Sequence, residues 1–309
     1  MNEQAPSIKA VIDSAEPLFE PIVLKAYDHK QFLAKDIPEP VSLLSPIINT
    51  QSLAMLFAKR GVGKTHVGLG IAYAVASGGE FLRWKADKPH RVLYIDGEMS
   101  AIAMQQRLAN LVKHSSQEPP EGYFTLLTPD MQERGMPDIS TVEGQEALKP
   151  YTDEAKFIVI DNLSTLVRTG KENEAESWLP IQEWALRMRA CGKSVLFIHH
   201  AGKSGQQRGS SRREDVLDLV MELRHPEGYS SDQGARFEVH YTKARHLTGV
   251  EVASFEARFC DDKWSVNDIT DIRLADVSRL YSEGKSVREI QGETGIPKST
   301  VARLIKQQH

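Results

Sequence analysis

Four short apolar runs, separated by longer segments with helical spacing, constrain the fold of this chain more than any other feature of its sequence. The runs are Ser52–Ala58, Arg91–Ile95, Phe157–Ile160 and Ser194–His199, and the helical segments are Thr65–Ser77, Ala101–Lys113 and Trp178–Ala190. Continuous apolar strands that alternate with helices are typical of a parallel sheet that is covered on both faces. The sequence therefore predicts an α/β fold with a central, mostly parallel sheet.

The rest of the chain divides by composition. Residues 1–40 carry five prolines and predict an arm that becomes ordered near Phe32 and Leu33. Beyond the fourth run, Glu238–Tyr241 and Val252–Phe259 predict strands of a hairpin-rich edge. We therefore divide the chain into an N-terminal arm at 1–40, a main domain at 41–260, a linker at 261–270 and a small all-α domain at 271–309.

Composition excludes several classes of protein. With 40% hydrophobic and 26% charged residues among 309, the chain has an ordinary globular balance, and its net charge of −4 excludes a wholly basic coating protein. No apolar run approaches the roughly 20 residues of a membrane helix, and the first residues lack the order of a signal peptide. Two cysteines, Cys191 and Cys260, cannot build a disulfide framework or a zinc site by themselves. We expect a cytoplasmic protein with reduced thiols and no membrane partner.

The segment after the first run has the spacing of a phosphate-binding loop. It reads AKRGVGKT at 58–65, a P-loop pattern with alanine in place of the usual first glycine, and a chance Gly-Lys-Thr in a basic turn is the alternative. Gly61 and Gly63 allow the backbone to curl so that its N–H groups face phosphate oxygens. Lys64 would reach the β- and γ-phosphates, and Thr65 would offer its hydroxyl to Mg²⁺. The predicted nucleotide-binding residues are Ala58, Lys59, Arg60, Gly61, Val62, Gly63, Lys64, Thr65 and His66.

Three further strand ends carry groups that suit phosphate chemistry. Asp161 ends the third run and predicts a carboxylate that holds Mg²⁺ or its water. Glu98 follows the second run and could orient an attacking water, although a solvated turn with Asp96 and Glu98 exposed is the alternative. His199 and His200 end the fourth run, where either could donate to the γ-phosphate or serve a structural role. Since the carboxyl ends of parallel strands meet at one edge of a sheet, these residues should lie together.

These features, in this order, resemble RecA-fold ATPases. The closer resemblance is to hexameric plasmid replicative helicases of the RepA type and to DnaB-type helicase motor domains, over about two-thirds of the chain, from Leu43 to Phe259. The matching segments are AKRGVGKT (58–65), DGEMS (96–100), VIDNLSTL (159–166), FIHHAGKS (197–204) and RGSS (208–211). The resemblance implies a RecA-like P-loop core that uses ATP and Mg²⁺.

The resemblance also implies roles for individual residues. Glu98 would be the catalytic glutamate, Asp161 the Walker B acid and His200 the γ-phosphate sensor. The segment TKAR resembles the Lys-x-Arg pair that DnaB-type motors insert into the neighbouring subunit's nucleotide. Arg245 would then be an arginine finger in trans, and Lys243 would touch the γ-phosphate, whereas an edge strand with exposed basic residues is the alternative. The finger implies a homo-oligomer, and the resemblance implies a hexameric ring.

The loop after His200 is rich in glycine and serine and has no acidic residue before Glu214. A basic loop of this kind suits the backbone of single-stranded DNA, and the resemblance places a DNA-contacting pore loop here. An ordinary surface loop is the alternative. The predicted contacts are four fixed charges, namely Lys203, Arg208, Arg212 and Arg213.

The end of the chain predicts a second DNA-binding element, for duplex DNA. Ser286 and Glu289 form a capping box, Gly295 marks a turn, and the pattern at 287–306 resembles the helix-turn-helix of resolvase-type DNA-binding domains. Residues 268–309 hold seven basic and six acidic residues, a weak surplus for duplex binding, so a small protein-interaction module is the alternative. The predicted groove-facing residues are Lys298, Ser299, Thr300 and Arg303, at the start of the last helix.

We interpret the chain as an ATP-hydrolysing DNA-binding motor of the RepA and DnaB helicase type, which acts on single-stranded DNA alongside replication proteins. The alternative is a non-translocating, ATP-dependent DNA-binding regulator or replication initiator or loader, whose helix-turn-helix chooses the site. A small-molecule P-loop kinase would need a set of lid arginines and an acceptor pocket. Neither is evident, and Glu98 together with the two histidines favours water as the acceptor.

Overall fold

The computed structural model describes residues 24–168, 175–201 and 214–306. The chain separates into two compact units, Met1–Glu39 and Pro40–His309. In the first unit, helix α1 (His29–Leu33) begins after Asp28, whose side chain accepts hydrogen bonds from the first backbone amides and completes a capping box. This short helix contains Phe32 and Leu33, where the sequence predicted that order begins.

The second unit contains the strands and helices that position the candidate site. In chain order they are β1 (Ser42–Leu44), β2 (Ile48–Asn49), β3 (Leu53–Ala58), α2 (Lys64–Ser77), β4 (Glu80–Phe81), β5 (Trp84–Lys85), β6 (Val92–Asp96), α3 (Ala101–His114), β7 (Phe124–Leu127), α4 (Val142–Glu154), β8 (Phe157–Asp161), α5 (Leu163–Leu166), α6 (Ala175–Ala190), β9 (Ser194–His200), β10 (Leu219–Arg224), β11 (Arg236–Ala244), β12 (Phe255–Cys260), β13 (Lys263–Asp268), α7 (Ile269–Ser282), α8 (Val287–Thr294) and α9 (Lys298–Lys306). The four predicted runs correspond to β3, β6, β8 and β9, with ends that differ by one residue.

Nine of the described strands form one sheet, in the order β13-β12-β11-β10-β3-β9-β8-β6-β7. The strands from β10 to β7 are parallel, whereas β11, β12 and β13 extend the sheet in antiparallel hairpins. Strand β3 lies inside the sheet and is buried throughout. The sheet confirms the predicted α/β fold with a central, mostly parallel sheet. It also adds the parallel strands β7 and β10, which the sequence did not single out.

The core lies on both faces of the parallel strands, because their successive side chains point to opposite sides. On one face, alternate strand residues such as Tyr94 pack against helix α2, which is buried from Val67 to Ser77. A helix that is buried all round needs apolar and small residues on every side. On the other face, Trp178 and Trp184 of α6 are buried in the core, as the sequence predicted.

The predicted linker at 261–270 is wrong. Strand β13 occupies most of it and pairs with β12, and α7 already begins at Ile269. Most residues of this strand are polar, so the sequence does not mark it as a buried strand. The ring of Trp264 nevertheless packs against Phe81 and Phe237. Cross-strand pairing and these aromatic contacts, which are both nonlocal, make the segment a strand.

The last three helices share a small core of their own. Ser286 caps α8 in the predicted capping box, and Gly295 ends that helix with a φ of +67°. Their shared core consists of Val277, Leu280, Ile290, Ile296, Val301 and Leu304. The turn at Gly295 also lies against the connection between β10 and β11, because a Cβ added there would lie 2.0 Å from the carboxylate of Glu227. The small all-α element predicted at the chain end is therefore a three-helix group that contacts the rest of the second unit.

Two predicted general properties can be compared with the part of the chain that the structure describes. None of its helices combines the length and apolar character that crossing a membrane requires. Cys191 and Cys260 are both exposed and unpaired.

Candidate active site

The P-loop joins β3 to α2 at the carboxyl edge of the sheet. Gly61 and Gly63 have φ values of +83° and +116°, in the left-handed region that favours glycine. Gly63 is the N-cap residue of α2, and no side chain among the described residues caps the first amides of this helix. Uncapped N–H groups at a helix N-terminus are a ready anion site. The local geometry therefore fits the predicted phosphate-binding loop.

Lys64 is buried within this loop. Its ammonium group donates to the carbonyl oxygen of Ala58 at 3.2 Å and to that of Lys59 at 3.1 Å. Burial lowers the pKa of Lys64, while the carboxylates of Asp161 and Glu98 act in the opposite direction. The contacts hold a positive charge at the centre of the loop, where a phosphate group would bring compensating negative charge.

Asp161 ends β8 directly beside the P-loop, and its side chain is buried. The Tyr94 hydroxyl donates to Oδ2 of Asp161 at 2.7 Å, and the Thr65 side chain also forms a hydrogen bond with this carboxyl group. Burial raises the pKa of Asp161, and these two hydrogen bonds and Lys64 oppose the rise. A hydroxyl and a carboxylate are oxygen donors of the kind that Mg²⁺ prefers. Thr65 and Asp161 thus fit the magnesium site that the sequence predicted.

Glu98 lies at the same edge, in the turn after β6, and its side chain is 59% exposed. The side-chain amide of Asn162 donates to Oε2 of Glu98 at 2.6 Å, and Nε2 of His200 lies 3.8 Å from the same oxygen. An exposed carboxylate beside the P-loop can orient a water molecule and accept its proton. Of the two histidines, His200 lies at the site, whereas His199 is buried within the sheet.

Asp96 supports the turn that carries Glu98. Its buried carboxylate accepts the backbone N–H of Met99 at 3.0 Å and that of Glu98 at 3.4 Å. Burial and the nearby Asp161 raise the pKa of Asp96 to about 6. The alternative of a solvated turn therefore holds for the Glu98 side chain alone, since Asp96 is buried.

The sequence interpretation gives no role in the site to Asn162, Asp96 or Arg107. Asn162 could have been found, because the residue after a strand-ending Asp161 lies at the same sheet edge. The sequence offers Asp96 only as an exposed residue of a solvated turn. Burial is the larger cause of the lowered pKa of His66, and the positive charge of Arg107, on α3, lowers it further. The ring of His66 lies 5.4 Å from that of Trp264. No local pattern marks Arg107.

Lys243 and Arg245 lie at the opposite edge of the sheet from the P-loop. Lys243 pairs with Val220 of β10, whose neighbour Leu219 pairs with Ala54 at the start of β3. The P-loop begins at Ala58, four residues after Ala54. At about 3.3 Å per residue, the two positions lie about 13 Å apart along the strand. Arg245 is anchored to the backbone oxygen of Asp215 at 2.6 Å, and Lys243 is hydrogen-bonded to the backbone oxygen of Glu214. The fold does not bring Lys243 and Arg245 to the P-loop of their own chain.

The predicted DNA contacts fall into two groups. Lys203, Arg208, Arg212 and Arg213 lie outside the described residues. On α9, Lys298, Ser299 and Arg303 are exposed and Thr300 is half-buried. Since Val301 and Leu304 of the same helix are buried, the predicted DNA-contacting residues lie mainly on the outer face of α9. The outer face remains a predicted DNA-binding surface.

The chain is similar to a known protein family and to a solved structure. The family model described as AAA domain matches residues 19–206, more than half of the chain. Among solved structures, the KaiC-like protein PH0186 from the hyperthermophilic archaeon Pyrococcus horikoshii OT3 is similar with a TM-score of 0.47 and 14% sequence identity, over 73% of this chain and 93% of that chain.

Proposed function

Because the chain belongs to the AAA domain family of ATPases, we propose that it is an ATP-hydrolysing motor of the RepA and DnaB helicase type that forms a ring and acts on single-stranded DNA. One observation carries the proposal: two halves of the predicted site lie at opposite edges of one sheet. The P-loop and Glu98 lie at the carboxyl edge, and Arg245 lies at the amino edge. This separation supports a ring in which Arg245 of one copy would complete the site of another.

The residues at the carboxyl edge suit hydrolysis. The first amides of α2 and the Lys64 ammonium would bind the β- and γ-phosphates of ATP. Glu98, oriented by Asn162, would orient the attacking water and accept its proton. Mg²⁺, bound at Thr65 and Asp161, would neutralise negative charge on the phosphates. His200 lies against Glu98 and could relay loss of the γ-phosphate to β9.

The residues at the amino edge suit a contact between copies. Arg245 is 49% exposed, and its guanidinium lies 3.6 Å from the Asp218 carboxylate. A head-to-tail contact would carry Arg245 to the γ-phosphate of the neighbour, where its charge would stabilise the transition state. Repetition of such a heterologous contact closes a ring when the rotation permits. Lys243 would accompany Arg245 into that site.

ATP hydrolysis with and without single-stranded DNA tests the proposal, using wild type, Lys64→Ala and the surface variant Lys149→Ala as a matched control. Lys149 is exposed on α4, away from the P-loop. We expect DNA to stimulate turnover in wild type and the control, and Lys64→Ala to be inactive. Strand displacement on a forked duplex then tests for a helicase. Turnover that is indifferent to DNA would contradict a translocating motor.

A second candidate is the ATP-dependent DNA-binding regulator or loader. The observation that favours it is the three-helix group, which has its own core and presents Lys298 and Arg303 on an exposed face. Such a protein would bind duplex DNA when ATP is present and would displace no strand. A binding assay on duplex DNA, run beside the displacement assay, separates the two candidates.

A further inference from the structure

A buried phenol holds the carboxylate that ends β8. Tyr94 lies in β6, the neighbouring strand, and its side chain is fully buried. Its hydroxyl donates to Oδ2 of Asp161 at 2.7 Å, and Asp161 is itself only 3% exposed. Because water has little access to either group, this hydrogen bond has no ready replacement, and an unpaired buried partner is costly.

The surrounding core fixes the hydroxyl in place. The Tyr94 ring stacks on Phe124 of β7, with centroids 6.4 Å apart and planes inclined by 21°. Helix α2 crosses the hydroxyl at Gly68, where an added Cβ would lie 3.4 Å from the Tyr94 oxygen and 2.3 Å from Cδ1 of Ile198. Glycine at position 68 therefore lets the backbone of α2 pack closely over the phenol.

Tyr94 and Thr65 reach Asp161 from different parts of the site. Thr65 belongs to the P-loop, so its hydroxyl would also face the metal of a bound nucleotide. Tyr94 lies in the sheet under α2, and its hydroxyl has no such second task. A single hydroxyl proton can serve one acceptor, so Tyr94 commits its proton to Asp161.

We propose that Tyr94 is a positioning residue of the magnesium–nucleotide site, whose hydroxyl holds Asp161 in the orientation that receives Mg²⁺. The inference rests on the proposed ATPase site. Hydrogen-bond partners of metal ligands orient those ligands, and their loss costs about 10- to 100-fold in metal affinity. Tyr94 therefore strengthens the binding of nucleotide with magnesium and leaves the binding of nucleotide alone unchanged.

Calorimetric titration of ADP in excess Mg²⁺ and in EDTA tests the role of Tyr94. Tyr94→Phe removes the hydroxyl and keeps the ring. We expect it to bind ADP in EDTA as wild type does, and to lose about tenfold or more of the affinity gained from Mg²⁺. Asp161→Asn should lose most of that gain. Tyr73→Phe is the matched control, because Tyr73 is also a buried tyrosine beside Phe124, and its hydroxyl has no hydrogen-bond partner among the described residues.

The outcomes separate the inference from the proposed function. If wild type gains nothing from Mg²⁺, the proposed ATPase site fails. If wild type gains and Tyr94→Phe gains equally, the role of Tyr94 is overturned. An equal loss of ADP affinity for Tyr94→Phe in EDTA and in Mg²⁺ would also overturn it, since Tyr94 would then serve only the stability of the fold. A lower melting temperature of the variant would confirm that structural role.

Discussion

The side-chain amide of Asn162 donates a hydrogen bond to Glu98 at the carboxyl ends of two neighbouring parallel strands, with 2.6 Å between Nδ2 and Oε2. Asn162 directly follows Asp161, so one strand end supplies both the candidate metal ligand and the group that holds the candidate base. The anchor is buried, with 2% of Asn162 exposed, whereas the Glu98 side chain is 59% exposed. Asn162 therefore orients Glu98, whereas the P-loop would bind the nucleotide.

We expect Asn162→Ala to lower kcat about tenfold and to change ADP affinity by less than about twofold, because Glu98 would lose its partner while the P-loop stays intact. Glu98→Gln should be more severe, with a loss on the order of 100-fold or more, because it removes the base itself. Steady-state hydrolysis and ADP titration measure both. Asn110→Ala, at an exposed position of α3, is the control, and equal kcat values for Asn162→Ala and this control would refute the assigned contact.

Mixing two inactive variants tests whether Arg245 acts in trans. Arg245→Ala keeps an intact P-loop, and Lys64→Ala keeps an intact Arg245. In mixed rings, about a quarter of the contacts would pair both intact halves, so an equal mixture should recover up to about a quarter of wild-type hydrolysis. Arg258→Ala, an exposed arginine on β12, should stay active alone. A mixture as inactive as its components would argue against completion of the site by a neighbouring copy.

Stability should depend on pH through Asp96. Its pKa is about 6 in the folded protein, against about 3.9 when unfolded, so between these values the folded state binds more protons. The free energy of unfolding therefore falls as pH rises from about 4 to 6. Asp96→Asn should remove about 2–3 kcal/mol of this fall, because each unit of difference in pKa corresponds to about 1.4 kcal/mol.

Urea denaturation at several pH values measures the effect of Asp96→Asn. The exposed variant Asp87→Asn is the control and should follow wild type. A difference between Asp96→Asn and wild type that stays constant from pH 4 to 7 would show that Asp96 does not titrate in this range.

The outer face of α9 should contribute to DNA binding through charge. We expect the double variant of Lys298→Ala and Arg303→Ala to weaken duplex binding at every sequence and to reduce the slope of log affinity against log salt by about 2. The double variant of Lys113→Ala and Lys149→Ala removes two exposed charges from the ATPase core and is the matched control. Equal salt slopes for the two double variants would assign the three-helix group to another role.

Local sequence patterns predict those features of this protein that depend on residues close together along the chain. The spacing of Gly61, Gly63 and Lys64 predicts the P-loop, because a left-handed turn and a helix start need those residue types in that order. The apolar runs predict buried strands for a similar reason, since burial on both faces of a sheet demands apolar residues at every position. The sequence did not predict strand β13, because its conformation depends on pairing with β12 and on the contacts of Trp264.

Contacts between distant residues are what only the tertiary structure decided. Asn162 meets Glu98 across 64 residues of sequence, and Tyr94 meets Asp161 across 67. The sequence predicts Glu98 and Asp161 from their strand ends, but strand order alone determines which side chains orient them. The register of β10 and β11 likewise places Arg245 at the edge opposite the P-loop. Local sequence specifies which chemical groups follow each strand, and the packing of the strands specifies which of those groups touch.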